Sequence, residues 1–172
     1  DITYYVSGLS KSLAPGLRTG FLIAPSAALA AAIAIGIRAT CFAAQSMGLL
    51  IAQQAIEDGA ADRIIRENRA LLRVRGQALR TALNLPASKP GFHSPHVWLP
   101  MSAAEAQRLE TRLLRNHVKV MTVAESVLDT TRGSGLRFCI GAIRRDADFE
   151  RATNIIRRVV SQPADLALRA VV

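Results

Sequence analysis

The stretch VSGLSKSLAPGLRTGFLIAP, residues 6–25, decides the fold because it places one lysine between two apolar runs. The β-branched and aromatic residues at 2–6 and the apolar run at 20–24 each predict a buried strand. The connection between them, residues 7–17, contains two glycines and a proline, which are typical of a turn-rich loop. We therefore expect two adjacent strands, part of a larger sheet, joined by a loop that carries Lys11.

The surroundings of Lys11 are typical of a lysine that reacts with carbonyl compounds. A lysine becomes a nucleophile when its pKa is lowered, and Schiff-base formation is the main use of this property. A pyridoxal phosphate site needs such a lysine together with hydrogen-bond donors for the phosphate. Ser10, Ser12 and Arg18 can supply these donors, since a guanidinium matches the geometry of phosphate oxygens. The residues alone leave open the alternative that Lys11 and Arg18 are simply solvated on a surface loop.

The composition indicates a folded chain without a membrane span. The chain has 172 residues, of which 50% are apolar, and this suffices for one large domain or two small ones. The longest apolar region, residues 27–56, is interrupted by Arg38 and several polar residues, which excludes a spanning helix. It predicts instead a helical segment, broken near 36–40, that is buried against a domain core or a partner subunit.

The net charge of +9, from 22 basic and 13 acidic residues, raises the question of an anionic partner. The basic residues form no dense run and no aromatic residues lie between them. This pattern favours solvated helix faces over an anion-binding patch. Six arginines illustrate it: Arg63, Arg66, Arg69, Arg73, Arg75 and Arg80.

The cysteines, histidines and tryptophan predict structural roles. Cys41 and Cys139 are far apart in apolar surroundings, which indicates buried thiols in a reducing compartment and no metal site. Trp98, in the apolar run HVWLP, is predicted to lie in the core. The histidines, His93, His96 and His117, lack a convincing third ligand, so we expect them to be structural or solvated.

The remaining elements follow from periodicity and turn signals. An amphipathic helix is predicted at 61–84, followed by the proline-containing linker NLPASKPG at 84–91. Residues 92–160 then indicate the order β-α-β-β-α, a compact unit. Its expected elements are strands at 93–99, 118–123 and 136–141, a helix from a capping box at Ser102–Glu105 to about 116, and a helix from about 146, with Phe149, Ala152, Ile156 and Val159 on one face.

The stretch SGLSKSLAPGLRTGFLIAP resembles the signature of fold-type I aminotransferases. The resemblance implies that Lys11 is the Schiff-base lysine, that Arg18 binds the cofactor phosphate, and that Ser10 is the serine preceding the lysine. Gly8 departs from the pattern, because many members carry a serine or threonine there whose hydroxyl also contacts the phosphate.

The end of the chain extends the resemblance. GLRFCIGAIRRDADFERATNIIRRVV, residues 135–160, is similar to the last strand and helix of the family, which implies that Arg137 binds the α-carboxylate of the substrate. The alternative for Arg137 is a guanidinium that simply reaches solvent. Residues 116–127 lack the Pro-Gly turn and the aromatic residue that are usual there, which predicts an altered substrate side of the pocket.

Within this fold the sequence is similar to the MocR-type branch of the GntR regulators. IEDGAADRIIRENRALLRVRGQAL (56–79), FHSPHVWLP (92–100) and LRFCIGA (136–142) carry this resemblance beside the lysine motif. These regulators are bacterial transcription factors that join a winged helix-turn-helix to an aminotransferase-like effector domain.

The resemblance implies an α/β fold, the C-terminal part of the pyridoxal-phosphate transferase fold. Residues 1–60 would be a remnant of the cofactor-binding large domain with dimer-type helices, 61–84 the interdomain helix, and 85–172 the small C-terminal α/β domain. It further implies that a longer protein carries the aromatic residue and the aspartate that contact the cofactor ring.

The leading functional hypothesis is a cytoplasmic, homodimeric effector domain that binds pyridoxal phosphate and senses an amino acid or amine. DNA would be contacted only through a winged-helix domain absent from this chain. Two alternatives remain, a genuine class I/II aminotransferase and an inert remnant retained for dimerisation. The 172-residue chain by itself is expected to be inactive and to self-associate.

Overall fold

The computed structural model describes residues 2–43, 45–91, 93–122 and 133–162. The chain divides into two compact units, residues 1–68 and 69–172. Its elements, in chain order, are β1 (Tyr5–Gly8), a short 3-10 helix (Pro15–Leu17), β2 (Gly20–Ile23), α1 (Ala27–Cys41), α2 (Ser46–Glu57), α3 (Ala60–Ala82), β3 (His96–Pro100), α4 (Ala103–Arg115), β4 (Met121–Thr122), β5 (Gly135–Cys139) and α5 (Asp146–Ser161).

The first unit begins with an antiparallel pair of strands. β1 and β2 run in register from the pair Tyr5 and Ile23 to the pair Gly8 and Gly20. All eight strand residues are exposed, so the prediction that these strands are buried is wrong. The reason is that, among the described residues, β1 and β2 pair only with each other and no third strand extends their sheet.

The long apolar segment forms two helices, α1 and α2, as its predicted break requires, but the break expected near 36–40 is wrong in position, because α1 continues through Gly36 and Thr40 to Cys41 and α2 begins at Ser46. α1 begins at Ser26, whose Oγ accepts a hydrogen bond from the amide of Leu29, and the helix contains no buried residue. Its expected burial against a domain core is therefore wrong, while burial against a second protein stays a prediction. α2 ends before Gly59, whose φ of 75° suits glycine, as the Asp-Gly signal predicts. Among the described residues no helix has the length and apolar content needed to cross a bilayer.

The second unit confirms the predicted order β-α-β-β-α. β5 is the central strand of an antiparallel sheet with β3 on one side and β4 on the other. Side chains alternate along β5, so that Leu136 and Phe138 enter the core while Arg137 and Cys139 lie on the other face. The largest fully buried side chains are Leu79, Val97, Leu113, Leu136 and Ile140.

Helices α4 and α5 form where the sequence indicates. α4 begins with a complete capping box, in which Ser102 Oγ accepts from the amide of Glu105 and the Glu105 carboxylate accepts from the amide of Ser102. α5 buries Phe149, Ile156 and Val159 on one face, as its periodicity predicts. The strand expected at 118–123 forms only at Met121–Thr122, and residues 123–132 and 163–172 lie outside the described residues.

Arg75 corrects the prediction that the arginines of α3 lie on solvated faces. Its side chain is 3% exposed and donates hydrogen bonds to the carbonyls of Ile140, at 3.1 Å, and Ile143, at 2.7 Å. Its position explains this burial, because it lies three residues after Leu72 and four before Leu79, on the apolar stripe of the helix.

Three further predictions of burial are wrong. Cys41 and Cys139 are free thiols and both are exposed. Cys41 is the last residue of the exposed helix α1, and Cys139 lies on the outer face of β5. Trp98 is 37% exposed, because it too lies on the outer face of the sheet, directly opposite Arg137.

Candidate functional site

The connection between β1 and β2 holds Lys11 in a turn closed by backbone hydrogen bonds. The carbonyl of Leu9 accepts from the amides of Leu13, at 2.9 Å, and Ala14, at 3.1 Å. The amide of Leu9 donates to the carbonyl of Thr19 at 3.0 Å, which ties the start of the connection to its end. The side chain of Lys11 is exposed and forms no hydrogen bond or ion pair with any described residue. Its amine is therefore unengaged by the described residues and lies on a turn with a defined backbone.

Arg18 is held in a backbone conformation that non-glycine residues rarely adopt. It ends the short helix Pro15–Leu17 with φ 49° and ψ 34°, in the left-handed region. Such a conformation costs of the order of 1–3 kcal/mol and concentrates at functional sites. The guanidinium of Arg18 is exposed, and none of the described side chains is its partner. The strained backbone therefore indicates that the direction of the Arg18 side chain is more important than its packing against other residues.

Two residues that the sequence did not single out, Thr19 and Gly48, fix the backbone before Arg18. Thr19 is buried, and its hydroxyl donates to the carbonyl of Leu17 at 2.9 Å. Gly48 of α2 packs against the same carbonyl, since a Cβ on residue 48 would lie 2.1 Å from that oxygen. The sequence could have indicated Gly48, because it lies inside a predicted helix. A glycine there costs about 0.5–1 kcal/mol relative to alanine, so a close packing contact is the expected explanation.

Arg137 lies in the second unit, on the central strand of the sheet. Its cross-strand neighbours are Trp98 on β3 and Met121 on β4, and all three side chains share the outer face. The guanidinium is half-buried and contacts the sulfur of Met121 at 2.9 Å, a weak acceptor. A guanidinium with so weak a partner retains the capacity to bind a carboxylate through two parallel hydrogen bonds.

The residues brought together on one connection are Ser10, Lys11 and Arg18. They supply a hydroxyl, an amine and a guanidinium, and residues 7–19 contain no carboxylate. This donor set fits a ligand that carries both an aldehyde and a phosphate. Among the described residues no group of three or more side chains could hold a metal ion.

The comparisons with known proteins found a matching family model and solved structures with a similar fold. The family model for class I and II aminotransferases matches residues 1–156. The chain is similar to the kynurenine aminotransferase of Pyrococcus horikoshii, with 18% identity and a TM-score of 0.74 over 91% of this chain and 39% of that one. It is also similar to the α-aminoadipate aminotransferase of Thermus thermophilus, with 21% identity and a TM-score of 0.68 over 91% of this chain and 41% of that one. No curated protein matches the chain.

These likenesses confirm the α/β fold expected from the sequence, of which this chain forms a part. It spans about two-fifths of the length of the two solved structures, at 39% and 41%. The first of those structures is a complex with PMP, and the second is a complex with a phosphopyridoxyl-leucine compound.

Proposed function

Because this chain belongs to the class I and II aminotransferase family, we propose that it is an aminotransferase-like domain that binds pyridoxal phosphate through the connection between β1 and β2. The observation that carries the proposal is the pair formed by Lys11 and Arg18. Both side chains are exposed, neither is engaged by another described residue, and they share one hydrogen-bonded connection. The strained backbone of Arg18 adds weight to this assignment.

Each residue of the connection has a distinct role in this proposal. Lys11 would hold the cofactor through its amine, which condenses with an aldehyde carbon with release of one water molecule. Arg18 binds the phosphate through its guanidinium, and the Ser10 hydroxyl adds a hydrogen bond to the same group. When bound, pyridoxal phosphate supplies an electron sink for negative charge at the Cα of an amino compound.

Arg137 is assigned to the carboxylate of the amino ligand. Its guanidinium lies beside the exposed indole of Trp98, on the outer face of the second unit's sheet. This setting offers a planar, partly desolvated cation, which suits bidentate binding of a carboxylate. Residues 116–127 lack the Pro-Gly turn and the aromatic residue that are usual in the family. This departure supports an amino ligand whose side chain differs from those of the ligands of typical family members.

The finer proposal is an effector domain of a MocR-type regulator, supported by the sequence similarity at 56–79, 92–100 and 136–142. In it, residues 1–60 belong to the cofactor-binding domain and 85–172 form the small domain. Binding of an amino acid or amine would shift the conformational equilibrium of a cytoplasmic homodimer, and a winged-helix domain outside this chain would report that shift to DNA.

A second candidate is a genuine aminotransferase, which the likeness in fold to two aminotransferases favours. In that case the Lys11 amine, once freed, moves the proton at the ligand's Cα. Steady-state assays of 2-oxo acid production by the full-length protein separate the two. Turnover supports the enzyme, whereas ligand-dependent DNA binding without turnover supports the regulator.

Borohydride reduction tests the cofactor site itself. Within this chain the lysines are Lys11, Lys89 and Lys119, which peptide mapping by mass spectrometry distinguishes from one another. Full-length protein treated with pyridoxal phosphate and borohydride should carry the label on Lys11. Lys11→Ala should abolish labelling, whereas the matched controls Lys89→Ala and Lys119→Ala should retain it. Labelling that is absent, or confined to the other two lysines, would contradict the proposal.

A further inference from the structure

A cavity of about 200 Å³ lies between α3 and the segment that joins α3 to β3. All of its lining residues fall within 72–97, so the cavity belongs entirely to the second unit. Its volume is below the roughly 300–1,000 Å³ of sites for drug-sized ligands and equals several water molecules at about 30 Å³ each. The space therefore suits a small ligand.

The lining of this cavity is strongly cationic. Arg73 and Arg80 contribute to it from α3, and Lys89 contributes from the joining segment. His93 and His96 add ring nitrogens, and two serines add hydroxyl groups. Among the described residues no aspartate or glutamate belongs to the lining, so none of them balances the three cations within the cavity.

Hydrogen bonds fix both ends of the joining segment and hold the cavity in shape. Arg80 donates from Nη1 to the carbonyl of Pro86 at 3.1 Å, and the amide of Leu85 donates to the carbonyl of Arg80 at 2.9 Å. At the other end, the amide of Ile140 donates to the carbonyl of Pro95 at 2.9 Å. A site that is already ordered loses less entropy when a ligand binds.

The two outer cations of the cavity, Arg73 and Lys89, are not used by the fold. Both are exposed, and neither forms a hydrogen bond or an ion pair with any other described residue. Elsewhere in the same unit arginines do find carboxylates, as Arg145 does with Asp148 at 2.6 Å. Like charges that face one cavity without a counter-ion repel one another, and an anion between them would relieve that repulsion.

We propose that this cavity binds the phosphate group of a small ligand, either inorganic phosphate or a phosphate monoester. Phosphate fits better than a carboxylate, because its charge near −2 matches three cations while a carboxylate carries only −1. The arginine fork provides paired hydrogen bonds to phosphate oxygens, and the ammonium of Lys89 acts as a point charge. The lining of this cavity comes from the second unit, whereas Lys11 and Arg18 of the proposed cofactor site belong to the first.

Calorimetric titration of the full-length protein with inorganic phosphate, at constant ionic strength, tests the proposal. We expect saturable binding that Arg73→Gln and Lys89→Gln each weaken by about tenfold, the value of one charge-assisted hydrogen bond. These variants remove no contact of the fold, so their thermal unfolding should match that of the wild type. The matched control is Arg115→Gln, which removes an exposed arginine that is not part of the lining.

Three results would overturn the site. These are the absence of saturable binding, an equal loss of affinity in Arg115→Gln, and wild-type affinity in the Arg73→Gln, Lys89→Gln double variant. A parallel titration with methyl phosphate identifies the source, since equal affinity supports a phosphate monoester and binding of inorganic phosphate alone supports the free ion. Arg18→Ala should keep the affinity for phosphate, so failure of the cofactor proposal and failure of this one are distinguishable.

Discussion

Gly48 of α2 lies so close to the carbonyl of Leu17 that a Cβ on residue 48 would be 2.1 Å from the oxygen. The atom it would meet belongs to the backbone, so no side-chain rotation can relieve the overlap. The same carbonyl accepts the hydroxyl of Thr19 at 2.9 Å, and it immediately precedes Arg18. Helix α2 therefore constrains the backbone immediately before Arg18, the residue proposed to bind the phosphate.

Gly48→Ala should displace the turn before Arg18. We expect it to lower the free energy of unfolding by roughly 1–3 kcal/mol, as overpacking does, and to weaken cofactor binding. Gly36→Ala in α1 is the matched control, because no heavy atom lies within 4 Å of its added Cβ. That change should raise stability by about 0.5–1 kcal/mol. Equal behaviour of the two variants, measured by urea unfolding and cofactor titration, would refute the role of Gly48.

Arg18→Gly should separate stability from binding. Glycine adopts the left-handed region freely, so the φ of 49° at this position would no longer be strained. We expect stability to be unchanged or higher by about 1 kcal/mol, while cofactor affinity falls by at least about tenfold through loss of a charged hydrogen bond. Arg18→Lys should retain part of the affinity. A glycine variant that binds the cofactor normally would remove Arg18 from the site.

Gly8→Ser should strengthen cofactor binding. A Cβ on residue 8 meets only the carbonyl of Thr19, at 3.7 Å, which is an ordinary contact, so the backbone tolerates the change. The serine supplies the hydroxyl that the resemblance to fold-type I aminotransferases implies at this position, three residues before the lysine. We expect a gain of about tenfold in affinity by fluorescence titration. Gly8→Ala adds the methylene without the hydroxyl and should leave the affinity unchanged, and a gain there would refute the explanation.

Arg75→Met should destabilise the second unit far more than Asp146→Asn. Arg75 donates to two backbone carbonyls and lies 5.1 Å from the centroid of Phe149, so its loss leaves buried acceptors unpaired. We expect a cost of roughly 2–4 kcal/mol. The Asp146 partner, at 2.7 Å, is 76% exposed, so its neutralisation should cost less than about 1 kcal/mol. Chemical denaturation of both variants measures the difference, and a similar loss in each would contradict it.

The capping box of α4 predicts a pH-dependent effect of Glu105→Gln. The Ser102 hydroxyl, then the Ser102 amide and the nearby Arg108, hold the pKa of Glu105 below its ordinary value of 4.5. A lowered pKa in the folded state means that the carboxylate contributes stability above pH 4.5 and loses it as the pH falls through the folded value. Glu105→Gln should thus be less stable than wild type at pH 7 and equal to it in acid. A difference that persists in strong acid would rule out this linkage.

The second unit could be predicted from the sequence because its signals are local. The capping box at Ser102 and Glu105, the period of Phe149, Ile156 and Val159, and the turn residues between elements each act over a few positions. The exposure of β1, α1 and the two cysteines could not be predicted in this way. Burial depends on what covers a surface, and an apolar segment has the same periodicity whether or not it is covered.

In the candidate site, too, some features follow from local sequence and others depend on long-range packing. Lys11 and Arg18 lie on one short connection, so a motif within a few residues suffices to find them. Gly48 is far along the chain from Leu17, and only the folded unit brings α2 against that carbonyl. The neighbours of Arg137 depend on the strand order β3-β5-β4 and its register, which no local pattern specifies.

The packing of Trp98 has a practical consequence. Its ring lies across Gly135, where a Cβ would be 2.6 Å from Cζ2, and its cross-strand neighbour is Arg137. It is the only tryptophan of the chain and is 37% exposed, so its emission is sensitive to solvent and to nearby charge. The chain thereby contains an intrinsic optical probe, with which the carboxylate binding proposed for Arg137 can be tested in real time without attaching a dye.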